Sequence, residues 1–288
     1  MLVDVLSSGD VDGDGMRDAA PVSDLHVGVT TGDLGDIAGF DTCPSPEGDD
    51  GRLLSEPHSP TIGSCPAELP RVLSFVPGVD DVEPFARDVG CLVVRGEDGC
   101  GPMQSLEAML KALTPSTSPL RFAGGTTGHG DGYNAGLLRA GSRLAVLVVS
   151  IFDDCSAASA EGLVAPLAVC HDHPEHLYPL ERYAEGLRAL RPDPCNPPLF
   201  LALAGVPYDI QDEDPGAILM DERMAWTDDW LCRFSCGLAM PGPRLVEMTR
   251  RMVPAARVAS ICVCEHGPAM RRFGARILGA DVELPPVF

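Results

Sequence analysis

Lysine is nearly missing from this chain: Lys111 is the only one in 288 residues, and the remaining cationic side chains are arginine. That bias reads as genome composition rather than function. Cationic residues are scarce altogether, 21 against 42 acidic ones, for a net charge of −21. Such a charge excludes nucleic acid and anionic membrane surfaces as partners and makes cations the natural counterpart. No apolar run is long enough to span a bilayer, and Met1-Leu2-Val3-Asp4 begins no signal peptide. No internal repeat is visible. The Cys-x-x-Cys spacing is missing too. Eleven cysteines are dispersed along the chain, Cys262 and Cys264 fall two apart, and no paired Cys/His set has zinc spacing. So many scattered cysteines suit an oxidising compartment with several disulfides, and the odd number leaves a thiol over. Either the chain is cytosolic with free thiols, or its true start lies upstream. The cysteine content favours the second, and with it a secreted or cell-surface location.

What the chain does have begins with residues 1–23, read as an acidic segment ahead of a domain at 24–288. Asp10-Val-Asp12-Gly-Asp14-Gly-Met16-Arg-Asp18 sets acidic residues at positions 1, 3, 5 and 9 of a loop, with glycine at 6. Carboxylates at 1, 3, 5 and 9, the Met16 backbone carbonyl at 7 and a glycine for the tight turn form a calcium-loop pattern. Position 12 is Pro21, so the bidentate Glu of an EF-hand is absent. The segment looks more like the calcium loops of thrombospondin type 3, dockerin and FG-GAP repeats. Calcium is the cofactor expected; a solvated acidic tail is the plain alternative.

Further on, residues 24–31 alternate Leu25, Val27 and Val29 as a strand does. Residues 32–70 are too long for a bare connection and read as a disulfide-tied excursion. Residues 71–76 and 91–94 are short strand candidates. Residues 102–114 read as a helix, with Met103, Leu106, Leu110 and Leu113 on one core-facing stripe. The Gly-rich run 124–134 lacks Gly-Lys-[Ser/Thr] and is followed by a strand, which rejects nucleotide binding. Leu144–Val149 is an unbroken apolar run and reads as a central strand buried on both faces. Ligand sites in open α/β sheets lie beyond the carboxyl ends of such strands. Ser150, Asp153, Asp154 and Ser156 fall there, the two aspartates either as binding groups or as caps of the next element. Strands at 198–206 and 257–264 and helices at 179–191, 244–253 and 267–278 complete the series, with an acidic loop at 207–241. Their alternation predicts an α/β fold, a parallel sheet with helices on both sides.

Several ordered blocks carry a resemblance: DLHVGVTTGDLG (24–35), DDGRLL (49–54), GCGPMQSLEAMLKAL (99–113), GHGDGYNAGLLR (128–139), LAVLVVSIFDDCS (144–156) and RVASICVCEHGPAM (257–270). Together they are similar to bacterial von Willebrand factor A-like proteins, especially the exported, cysteine-containing kind of myxobacteria. The resemblance covers about residues 24–280. It implies a doubly wound, mainly parallel sheet and a non-enzymatic binding role. It also implies a divalent metal held at the top of the sheet by an Asp-x-Ser-x-Ser loop, a Thr and an Asp. This chain departs from that pattern at all three places. It has no Asp-x-Ser-x-Ser, Gly99-Cys100-Gly101 carries no threonine, and Ile151 stands at the position matching the Asp. Isoleucine cannot ligate a metal, so the implied adhesion site is degenerate, with Ser150, Asp153, Asp154 and Ser156 as weak substitutes and no magnesium expected. The strand and helix that should precede Asp24 are absent, so the fold is expected to be incomplete at its N-terminus. Spacing and the resemblance point to disulfides Cys43–Cys65, Cys155–Cys170 and Cys236–Cys262.

The expected function is thus an exported or cell-surface binding protein of unknown protein or surface ligand, without catalysis. A structural surface protein stabilised by calcium is one alternative. A hydrolase using His129 with Asp131, or Cys264 with His266, is another.

Overall fold

The computed structural model describes residues 1–35, 45, 47–58, 64–95, 99–100, 103–158, 173–225, 230–234 and 237–280. The chain is mixed α/β, built on a three-stranded parallel sheet flanked by helices. Its strands are β3 (Ala145–Val149), β4 (Leu199–Ala204) and β7 (Ala256–Ser260), in the order β3-β4-β7. Register runs Leu147↔Leu201↔Arg257 across the sheet. Two short antiparallel pairs stand apart: β1 (Leu25–Val27) with β2 (Leu73–Phe75), and β5 (Cys232–Phe234) with β6 (Gly237–Ala239). Among the described residues no helix is long and apolar enough to cross a membrane.

Alternation of side chains along each strand divides the core in two. On one face Phe200, Ala202, Ala204, Val148, Ala256 and Val258 meet three helices: α3 (Ser105–Leu113) with Leu106 and Leu110, α4 (Glu181–Leu190) with Tyr183 and Leu187, and α6 (Pro243–Met252) with Leu245 and Met248. On the other face Leu199, Leu201 and Leu203 pack with Ala269 and Phe273 of α7 (Gly267–Leu278). A satellite cluster joins Leu73 and Phe75 of β2 to Phe85 and Leu92 of α2 (Val82–Val93). At the N-terminus, α1 (Leu2–Ser8) lies on α7, where Val5 and Val11 are buried against Ala275. Helix α1 stops at Gly9, whose φ of 78° is a left-handed C-terminal cap.

Four sequence expectations change. The central strand is β4, buried at all six positions; among the described residues β3 is an edge strand, with Leu147 37% and Val149 48% exposed. An unbroken apolar run does not specify that both faces will be covered, and here α7 covers β4 and β7 only. Residues 91–93 close helix α2 instead of forming a strand, because Cys91 and Leu92 belong to the buried side of an amphipathic helix. The loop 207–241 contains a short helix, α5 (Pro215–Leu219), and the β5–β6 hairpin. Residues 2–8, read only as part of an acidic segment, are helical.

Disulfide pairing is also corrected. Cys65 pairs with Cys91, not Cys43, and Cys262 pairs with Cys232, not Cys236. In each case a cysteine of a helix or strand reaches the partner that packing brings beside it. The hairpin strand β5 delivers Cys232 to the turn after β7, and the inner side of α2 delivers Cys91 to Cys65. Cys100, Cys155 and Cys264 are disulfide-bonded as well. Cys43, Cys170 and Cys236 lie outside the described residues, and the Cys155–Cys170 pairing with them. Cys195 is free and exposed.

Candidate functional site

The carboxyl ends of β3, β4 and β7 open onto a polar cluster built from the segment after β3. A helix begins with backbone N–H groups that no carbonyl of its own can accept. Two aspartates meet that need here. Asp153 accepts from the N–H of Arg244 at 2.9 Å and of Leu245 at 3.1 Å, in the first turn of α6. Asp154 accepts from the N–H of Leu106 at 2.9 Å, in the first turn of α3, and from the Ser156 hydroxyl at 2.7 Å. Ser156 in turn accepts the N–H of Glu107 at 3.0 Å. The Arg244 guanidinium donates to Asp154 at 3.2 Å and to the Tyr178 carbonyl at 3.0 Å. Ser150 donates to the Phe152 carbonyl at 2.7 Å.

All four residues of the degenerate adhesion site are buried: Ser150 is 6% exposed, Asp153 3%, and Asp154 and Ser156 0%. Of the two roles left open for the aspartates, the structure places them as helix caps, turned inward rather than towards a partner. Burial outweighs the N–H donors at Asp153 and pushes its carboxyl up to about 7.

Beside these caps lies an ion pair. Glu107 in α3 receives two bonds from Arg182 of α4, at 2.8 and 2.9 Å, and Arg182 also donates to the Arg121 carbonyl at 2.7 Å. The guanidinium stacks 4.3 Å from the Tyr178 ring centre and 5.2 Å from that of Phe122. Glu107 is 1% exposed. Burial raises its carboxyl despite the arginine.

The acidic loop is folded as a tight series of turns. Asp10 accepts the N–H groups of Gly13 at 2.7 Å and Gly15 at 3.0 Å. Asp18 accepts those of Val11 at 2.7 Å and Asp12 at 3.3 Å. Side-chain oxygens of Asp10, Asp12 and Asp18 lie within 4.8 Å of one another. Asp14 lies outside that group and bonds the Met16 N–H at 2.7 Å. Gly13 has φ 83°, a left-handed conformation that favours glycine, and it packs against the Arg271 guanidinium. Arg271 also donates to the Val11 carbonyl, tying the loop to α7. Three converging carboxylates with backbone amides behind them suit a hard, oxygen-seeking cation.

Neither catalytic pair suggested by sequence is assembled. Asp131 bonds the Ser116 N–H and hydroxyl. His129 instead lies 3.2 Å from the Asp50 carboxylate. That carboxylate also pairs with Lys111, which reaches Thr126 at 2.9 Å. The single lysine is therefore a buried structural cation. Cys264 is disulfide-bonded and is no thiolate nucleophile for His266. Burial lowers the His266 pKa. A cleft of about 660 Å³ runs beside β7 and α7, lined by Arg257, Arg272, Asp212 and Glu213 among others; it contains none of these candidate groups.

Sequence reading missed one constellation. His173, Glu175 and His176 bring their donor atoms within 4.8 Å of one another. The signal was available: three of the seven histidines fall in residues 171–176. No known family, no curated protein and no solved structure matches the chain.

Proposed function

We propose that the chain is a non-catalytic extracytoplasmic module, clasped by calcium at Asp10, Asp12 and Asp18 and braced by disulfides, that binds a protein or cell-surface ligand. The observation carrying this reading is the convergence of those three carboxylates on a loop fastened to α7. Asp14 and the Met16 carbonyl complete the ligand set by a local turn of the loop. A parallel sheet with helices on both faces is compatible with a doubly wound, von Willebrand A-like fold. The capping roles of Asp153 and Asp154 fit a member of that type whose adhesion metal has been lost, so magnesium has no place in the function. Disulfides favour an oxidising compartment. The unassembled His129/Asp131 and Cys264/His266 pairs count against hydrolysis.

The test is thermal unfolding of the intact, oxidised chain in calcium and in chelator. An ion that binds only the folded state stabilises by about 2.7 kcal/mol at a hundredfold excess over Kd. A higher midpoint in calcium, abolished by Asp10→Asn with Asp12→Asn and not reproduced by magnesium, is expected. Equal midpoints in calcium and chelator would refute the clasp. Calcium-dependent stability with no ligand recovered from a cell-surface extract would favour the purely structural role.

A further inference from the structure

We infer that His173, Glu175 and His176 form a surface site for a divalent transition ion of the zinc type, coordinated through Nδ1, Oε1 and Nε2 respectively. The Glu175 oxygen stands 3.0 Å from His173 Nδ1 and 3.9 Å from His176 Nε2. In a tetrahedral site with bonds of about 2.0–2.1 Å, neighbouring donor atoms lie about 3.3 Å apart. The observed separations bracket that value, so a small side-chain rotation closes the site.

The backbone that carries the donors is anchored. Pro174–His176 is a single 3₁₀ turn, with the His176 N–H on the His173 carbonyl at 3.0 Å and the Leu177 N–H on Pro174 at 3.1 Å. Its exit is pinned to the segment after β3. The Ala158 N–H bonds the His176 carbonyl at 2.8 Å, the Tyr178 N–H bonds Ser156 at 3.0 Å, and Leu177 is buried. A fixed turn pays little ordering entropy when it binds.

The donor chemistry selects the ion. Two imidazoles and one carboxylate suit zinc, nickel or copper, whereas calcium and magnesium seek oxygen alone. His173 and His176 both face the same Glu175 carboxylate oxygen, and their rings meet edge to face with centroids 5.7 Å apart. The site shares no residue with the Asp10 loop. Three protein donors at a solvent-facing turn leave a fourth coordination position for water or for a carboxylate or imidazole of a partner.

The experiment is calorimetric titration of zinc chloride into the untagged full chain, with disulfides intact and calcium in excess to occupy the acidic loop. One equivalent of zinc is expected, lost in His173→Ala with His176→Ala, weakened in Glu175→Gln and unchanged in Cys195→Ser, which removes the free thiol. Cobalt(II) is expected to give four-coordinate visible bands that the double histidine variant lacks. Circular dichroism verifies that each variant is folded. The proposal is overturned by absence of zinc binding to the native chain, by binding that survives the double substitution, or by binding that Cys195→Ser removes.

Discussion

Replacing Arg182 with methionine removes the cationic partner of a buried carboxylate. Glu107 is 1% exposed and Arg182 14%, and both bonds between them are short. Pairs at the surface contribute about 0–1 kcal/mol, but breaking a buried pair by deleting one partner costs about 3–5 kcal/mol, because the other charge stays buried. Arg182→Met is therefore expected to lower the unfolding free energy by about that larger amount. A second substitution, Glu107→Leu in the same background, is expected to restore much of it. The pH dependence has a definite sign. Burial raises the Glu107 carboxyl, and the Arg182 hydrogen bond and charge oppose that rise. Without Arg182 the folded-state value climbs further. A group raised in the folded state contributes stability below its unfolded pKa and loses it as pH rises through the folded one. The loss caused by Arg182→Met should therefore be smaller near pH 5 than near pH 8. Urea unfolding of the two single variants and the double variant, at both pH values, measures each term. A coupling energy below about 1 kcal/mol, the range of an exposed pair, would refute the reasoning.

Asp153 follows the same sign: its contribution to stability is present below the unfolded carboxylate range and is lost as pH rises through about 7. Carboxyl-carbon NMR should find its midpoint near neutrality, and a midpoint below that of an ordinary aspartate would show that the α6 donors win instead. Gly205→Ala places a Cβ 1.8 Å from the Met240 carbonyl oxygen, so the backbone must shift, at a cost of about 1–3 kcal/mol. Denaturant midpoints unchanged by that substitution would mean the 205–240 contact is looser than described.

The sequence determined the pieces whose signal is local. Helix α7 occupies the range its apolar spacing marks, β4 falls within its apolar run, β7 (Ala256–Ser260) overlaps the run expected at 257–264, and Asp10–Asp18 folds into the turns that its aspartates and glycines dictate. These follow from backbone propensity and from one stripe or alternation of apolar side chains. Tertiary structure decided everything that depends on which neighbour arrives. Leu144–Val149 is as apolar as a central strand, yet among the described residues β3 pairs with β4 alone, and no described helix covers Leu147 and Val149. Asp153 and Asp154 could have faced solvent, but the first turns of α6 and α3 arrive with unpaired N–H groups and take them. Cys91 found Cys65, and Cys262 found Cys232, across intervals that sequence spacing does not rank. His173, Glu175 and His176 converge through a turn pinned to Ser156 and Ala158, residues far from them in the chain. Periodicity records which side of an element is apolar; it carries no record of the partner that side will meet.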